Sequence, residues 1–409
     1  MAIQLIKAKE PSTVTESVDS SFRAGETALQ VSVYRSLEEL PDSYTHLFEK
    51  AGRRSLFLTR AWFCNFLDTA LDEGDQVRIY GVADESRPTV PAGMLLTRSL
   101  SRSSGLISLR KLSALANYYS PLFSPHLSPT SFKKNTLAAL ARAIAGEKPH
   151  WDAIELKPLE IESETFPVMV EEFRAAGFVV QTFFSAGNWY EPVRGRSYHE
   201  YFEGLRSSVR NIAKSKNKKI ERTGRARCEI ISGTEGLDAG IVAYKKIYSA
   251  SWKVPEPYSN FVPGLIKTCA LQGTLRLGLV YLDGEPAAAQ VWTVHSGVAS
   301  IYKMAYDPKY RDLSVGTYLT TRLMEHVIDV DRVHEVDYLT GDDGYKKDWM
   351  SQRRERWGIL ALNPRTLRGD MAIVRHVGGR VVKRATLSVA DRFRRGRKKP
   401  QPEEVEKKH

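Results

Sequence analysis

Cysteine is scarce in this sequence. Cys64, Cys228 and Cys269 stand far apart in 409 residues, an odd number with no CxxC pair, which excludes a disulfide framework and a zinc ribbon. So little cysteine reads as a protein of a reducing cytoplasm. The nine histidines have no ligand spacing, so no metal is expected. GxSxG, GxGxxG and Walker loops are all missing, which removes the serine-hydrolase, dinucleotide and P-loop classes. No run of about 18 apolar residues occurs, so no membrane-spanning helix is expected. The opening stretch, residues 1–28, lacks a continuous apolar core of signal-peptide type and reads as a disordered leader.

What the chain does have is positive charge. The net charge is +12 and the isoelectric point about 9.4, which points to anionic partners. Much of the excess sits in two places. "RSSVRNIAKSKNKKIERTGRAR", from Arg206, carries nine Lys or Arg against Glu221 alone. Val209, Ile212 and Ile220 suggest a weakly amphipathic helix there, with Ser207 or Ser208 as its cap. The tail "RFRRGRKKPQPEEVEKKH" is expected to be disordered. The first segment suits RNA phosphates, an anionic lipid surface or a solvated face beside a nucleotide-linked sugar acceptor, and the tail an acidic membrane at the inner face.

The same order of elements occurs twice. "LQVSVYRSL" alternates as a strand, helices are expected over 37–51 and 59–71, and strands follow in "QVRIYGVAD" and "VPAGMLLTRSL". A loop, "NYYSPLFSP", then a helix over 129–145, strand "WDAIELKP", a helix over 165–176 and strand "FVVQTFF" complete the first set. From Ala226 the pattern repeats: strand "ARCEIIS", helices over 236–251 and 259–271, then "TLRLGLVYL", "PAAAQVWTV" and "VASIYKMAY". A helix from Ser314, strand "HEVDYLTG", a short helix from Tyr345 and strand "WGILALN" close it. Two α/β units with mixed sheets and helices on their faces follow. The expected division is a first lobe over 29–195, a basic interlobe helix over 196–225, a second lobe over 226–365 and a basic extension over 366–409.

Two junctions concentrate polar chemistry. At "RDLSVGT", Ser314 is expected to cap a helix whose apolar face is Val315, Tyr318, Leu319, Leu323 and Val327. Its first-turn N–H groups, with Arg311, suit a phosphate. "TGDDGYKKDW" ends the penultimate strand, where ligands of open α/β sheets bind. There Lys346 is positioned to neutralise an oxyanion or a donor phosphate, Tyr345 to give a proton to a leaving group, and Asp343 to take one from an acceptor through water. Alternation in "VASIYKMAY" places Tyr302, Met304 and Tyr306 on one face and Lys303 on the other. In the first unit Asn117, Tyr118 and Tyr119 suit a sugar or lipid headgroup, with Trp62 and Trp189 as further aromatic candidates.

"LANYYSPLFSP", the basic segment, "YKMAYDPKYRDLSVGTYL" and "GYKKDW" together give a resemblance to the GNAT acyltransferase superfamily. In tandem form the chain resembles the BioF2-like, or CelD (BcsL), acyltransferases and their Fem-type peptidyltransferase relatives. The resemblance implies a fold of tandem GNAT-like lobes, each a mixed, mostly antiparallel sheet flanked by helices. It implies an acyl-CoA donor whose pyrophosphate meets Arg311, Ser314, Val315, Gly316 and Thr317. Only Gly316 remains of the glycine-rich form of that loop. The acyl arm is implied to lie beside Tyr302, with Gln290 and Trp292 lining the gap between splayed strands. The basic helix is implied to pack between the lobes, facing the acceptor.

The expectation is therefore a cytoplasmic acyltransferase, peripheral to the inner membrane face. It would act on an amine or hydroxyl of a nucleotide- or lipid-linked sugar in polysaccharide, including cellulose, or cell-envelope synthesis. A Fem-type enzyme using aminoacyl-tRNA and a catalytically silent scaffold of a polysaccharide synthesis complex are the alternatives.

Overall fold

The computed structural model describes residues 28–99, 109–129 and 133–376. The leader expected over 1–28, except residue 28, and the tail beyond 376 lie outside the described residues. The strands are β1 (Leu29–Tyr34), β2 (Gln76–Asp84), β3 (Arg87–Ser99), β4 (Lys111–Ala114), β5 (His126–Leu127), β6 (Ala153–Glu160), β7 (Val179–Pro192), β8 (Ala226–Ile231), β9 (Leu275–Leu282), β10 (Glu285–His295), β11 (Val298–Tyr306), β12 (Glu335–Thr340) and β13 (Gln352–Leu362). The helices are α1 (Thr45–Arg54), α2 (Arg60–Thr69), α3 (Lys133–Gly146), α4 (Thr165–Ala175), α5 (Tyr198–Gly204), α6 (Ser207–Glu221), α7 (Leu237–Ala250), α8 (Phe261–Leu271), α9 (Val315–Glu325) and α10 (Lys346–Trp349).

The two expected sheets are one. Its strand order is β1-β2-β3-β4-β6-β13-β7-β12-β11-β10-β9-β8, with β5 beside β3. Pairing is antiparallel throughout, except for β4 with β6 and β11 with β12. The centre explains the fusion. β7 follows β6 in sequence but pairs with β12 and β13. β13 follows β12 but pairs with β6 and β7. Each half thus lends its last strand to the other, and the arrangement has approximate two-fold symmetry about the β7–β13 pair. The irregularities repeat as well. Lys157 and Pro158 bulge from β6 opposite Gly358, as Tyr338 and Leu339 bulge from β12 opposite Trp189. A bulge bends the strand and ends regular pairing, so both parallel pairs are only three residues long before their strands part.

Helix faces follow the apolar stripes. Val315, Tyr318, Leu319, Leu323 and Val327 are all buried against the sheet. One core crosses between the halves: Trp62 and Phe66 of α2 pack edge-on to Phe261 of α8, with centroids 5.5 and 6.5 Å apart. Tyr119 stacks on Phe261 at 4.2 Å, and the buried Asn65 amide donates to the Phe261 carbonyl. Trp62, a candidate for ligand stacking in the sequence, is therefore a core residue, 1% exposed.

The basic helix differs from expectation in its setting. α6 rests on α9, where Asn217 Nδ2 donates to Thr321 Oγ1 and Arg322 pairs with Glu221. Ala213 and Ile220 are its buried residues, while Ile212 is exposed. Neither serine caps it: Arg206 occupies the cap position with no side-chain bond.

Because the central strands are exchanged, the chain is expected to unfold in one calorimetric transition. Fragments 28–195 and 196–376 should be unstructured alone and recover near-native circular dichroism on co-expression. A fragment that folds by itself would contradict this. Phe261→Ala, which empties the core shared by the halves, should cost about 3–5 kcal/mol in denaturant unfolding.

Candidate active site

Beyond Ser300 and Asp337 the strands β11 and β12 separate, and a cavity of about 280 Å³ opens between them. Residues 301–304 of β11 form one wall and Tyr338–Thr340 of β12 the other. A bulge shapes each wall. On β11, Lys303 pairs with Val291 but Ile301 with Trp292, leaving Tyr302 as an inserted residue. An inserted residue breaks the alternation of side chains, and Lys303 is turned to the same side as Tyr302. Tyr302 Oη donates to the Tyr119 carbonyl at 2.9 Å, and Lys303 Nζ donates to Tyr118 Oη at 2.7 Å. Met304 and Tyr306 pack on the opposite face, with α9. The expected face assignment along this strand is thus corrected by one inserted residue.

On β12 the bulge leaves Leu339 at φ 56° and Gly341 at φ 119°. A leucine in the left-handed region is strained, and a set of buried polar bonds holds it. Asp337 Oδ1 accepts from the Leu339 N–H at 2.6 Å. Asn188 Nδ2, from β7, donates to the Leu339 carbonyl at 3.1 Å and to Asp337 at 2.5 Å. Arg354, from β13, bridges Asp337, Glu335 and Asn188. The exchanged strands therefore brace the wall of the cavity from behind.

The bulge presents carbonyls to Lys346. This lysine is 5% exposed, and its Nζ donates to the Thr340 carbonyl at 2.7 Å and the Tyr338 carbonyl at 3.3 Å. An ammonium has three protons, so one remains for the cavity, where Asp343 lies at 3.6 Å. Burial pushes the Lys346 pKa down, and Asp343 works against that shift. Tyr345 packs edge-on to Tyr338. Burial, then Asp343, raises its phenol to about 12, so it holds its proton at neutral pH. The three expected catalytic side chains, Lys346, Tyr345 and Asp343, thus line one cavity with Tyr302, Tyr118 and Tyr119. Neighbouring Asp342 points elsewhere, into a two-pronged pair with Arg353.

Sequence reading missed the opposite rim. The loop Ser251–Asn260, between α7 and α8, reaches over the end of β11. Trp252 packs on Tyr306 at 4.5 Å. Glu256 accepts from Tyr119 at 2.5 Å and Tyr118 at 3.0 Å, and pairs with Lys303 at 2.8 Å. Lys253 joins Lys303 and Lys346 around the cavity. Burial, followed by repulsion from Lys303, lowers Lys253 to about 8. Three cations therefore face two carboxylates, Glu256 and Asp343. The stretch "WKVPEP" carries charge amid prolines, but nothing local links it to Tyr118, far earlier in the chain.

The remaining candidates divide. Ser314 is not a capping residue: it lies at φ 53°, ψ 42° and makes no side-chain cap bond. A cap needs extended backbone to turn its oxygen to the helix, whereas Ser314 closes the 3₁₀ turn before α9 through its N–H to the Arg311 carbonyl. The first turn of α9 is therefore left without a side-chain cap. Arg311 is exposed beside it, Val315 is buried, and Gly316 and Thr317 are half-buried. A Cβ on Gly316 would meet the Tyr306 ring at 3.4 Å, which links this helix start to the cavity rim through Tyr306 and Trp252. Gln290 and Trp292 do not line the gap. Both are buried under α9, where Gln290 Nε2 donates to the Gly316 carbonyl and Thr320 and Trp292 Nε1 donates to Gln290. Asn117 is a loop staple: its amide donates to the Ala70 carbonyl and accepts from the Tyr119 N–H. Trp189 lines a separate basic cavity on the far side of α10, with Arg194, Arg206 and Lys347.

No curated protein matches the chain in sequence. Among solved structures, that of FemX is similar with a TM-score of 0.53 at 13% identity, covering 79% of this chain and 96% of that one. A tandem GNAT protein from the clavulanic acid biosynthesis pathway gives 0.47 at 12% identity, covering 81% and 98%. L-PGS from Bacillus licheniformis gives 0.42 at 11%, covering 71% and 86%. At such identity the FemX likeness concerns the fold alone. The match to a family is confined to the second half: residues 207–347, from the basic helix through the buried lysine, match the model of the acetyltransferase (GNAT) domain.

Proposed function

We propose that this protein is an acyltransferase that moves an acyl group from a CoA-type donor to an amine or hydroxyl of a polysaccharide or cell-envelope precursor. One observation carries the reading: a buried lysine, held by two backbone carbonyls on a bulged strand, with one proton left for the cavity between the splayed strands. The family match over the same residues supports it.

The donor's phosphates are assigned to the first turn of α9, where uncapped N–H groups and Arg311 attract anions. The acyl carbon then lies in the cavity. Acyl transfer builds negative charge on the carbonyl oxygen, and a fixed cation in a site sheltered from water stabilises it without reorganisation. Lys346 supplies that cation, and Lys253 and Lys303 add to the field. Tyr345, protonated at neutral pH, gives its proton to the departing thiolate. Asp343 takes the acceptor's proton through water. A second reading, transfer from aminoacyl-tRNA, draws on α6, whose Lys214, Lys218 and Lys219 are exposed and would suit a phosphate backbone. Thermal-shift measurement separates the two. Acetyl-CoA at 100 times its dissociation constant should add about 2.7 kcal/mol of stability. No response to any CoA ester, with a response to aminoacyl-tRNA, would transfer the assignment.

Lys346→Ala is expected to lower kcat by about 10²–10³ with less than threefold change in KM for the donor. Equal loss in both terms, or none, would favour a silent scaffold. The Lys253 cation is present below about pH 8 and lost above it. Activity should therefore fall as pH rises through 8. Lys253→Arg, whose guanidinium stays charged, should extend the active range upward. A pH–rate profile of the two proteins checks the sign.

A further inference from the structure

The sheet opens a second time, between β4 and β6, and the cavity there has different chemistry. It measures about 490 Å³, within the range of small-molecule sites. Two of the residues that line it each hold a buried polar atom with no hydrogen-bond partner, Ser113 Oγ and Arg98 Nε; the residues are 7% and 8% exposed. Buried donors and hydroxyls without partners are rare and call for one. Ser185 and Thr340, two further hydroxyl-bearing residues, line the same space.

The charged side chains at this cavity are already paired. Arg98 is paired with Asp75 at 2.5 Å. Glu155 is flanked by Lys111 and, at 3.2 Å, Lys157. A phosphate entering here would meet the Glu155 carboxylate, and among the described lining residues Arg98 and Lys157 each already have an acidic partner. Hydroxyls and one neutralised guanidinium suit an uncharged ligand that both donates and accepts hydrogen bonds. The exposed side chain of Tyr118 adds an aromatic wall of the kind a sugar ring packs on. Tyr118 and Thr340 also line the cavity that holds Lys346, so a ligand seated in one space abuts the other.

We propose that the cavity between β4 and β6 binds an uncharged, hydroxyl-rich ring, a pyranose, and that this is the sugar of the acyl acceptor. The second clause rests on the acyl-transfer reading; the binding itself does not. The test uses the full chain with D-glucose, N-acetyl-D-glucosamine and inorganic phosphate as probes, read by saturation-transfer NMR. At least one sugar should receive saturation, and phosphate should not displace it. Ser185→Phe, which fills the space from a half-buried position, should weaken binding tenfold or more. Ser113→Ala, a smaller change that keeps the strand intact, should weaken it several-fold. Both are compared at equal helical and strand content by circular dichroism. Failure of both sugars to bind, displacement by phosphate, or wild-type binding in both Ser113→Ala and Ser185→Phe would overturn the site. Sugar binding in a protein inactive with every acyl donor would leave the site standing and sink only the acyl-transfer reading.

Discussion

The exchange of β7 and β13 is the constraint on which the rest of the structure depends. Neither half can complete its sheet alone, because the strand that covers β6 comes from the end of the chain and the strand that covers β12 comes from the middle. Exchange also fixes where the sheet opens. The bulges at Lys157–Pro158 and Tyr338–Leu339 face the borrowed strands, and the parallel pairs part just beyond them. The cavities are thus products of the same pairing that holds the molecule together.

The electrostatics of the main cavity follow from this geometry. A buried ammonium is costly unless its protons are taken up, and the β12 bulge turns two carbonyls toward it. A straight strand would point those carbonyls along the sheet ladder, where neighbouring strands consume them. The left-handed backbone at Leu339 is the strain that accompanies this, and Asn188, Asp337 and Arg354 hold it in place from the other face. Strain in a binding wall, held by a dense polar network behind it, is a common mark of sites that must not relax.

Much of this was legible in the sequence. The stripe from Val315 to Val327 read correctly because helical period and burial agree there. "GDDGYKKDW" at a strand end groups a lysine, a tyrosine and an acid, and Lys346, Tyr345 and Asp343 of that stretch line one cavity. The second half of β7 was not read as strand: Gly187, Asn188 and Pro192 look like loop, and only pairing on both sides by strands distant in sequence makes them extended. Lys303 was assigned to the wrong face because alternation assumes no inserted residue, and a bulge leaves no local signature in "SIYKMA". Gln290 is expected at the gap only through the resemblance, which places it on the strand beside β11; its partners are a helix carbonyl and a threonine, invisible before α9 is docked. Glu256 and Lys253 lie on a loop that gains meaning only when it meets Tyr118, 138 positions away.

Consider the approximate two-fold axis through the centre of the sheet. In an assembly of two identical chains, strand lending of this kind would make both openings chemically alike, and any change to one would be copied into the other. Here the halves are covalently joined, so each opening has its own residues. One has gathered ammonium groups and phenols, the other hydroxyl-bearing residues and paired charges. Covalent joining of the halves lets a nearly symmetric frame carry two chemically different openings that share Tyr118 and Thr340.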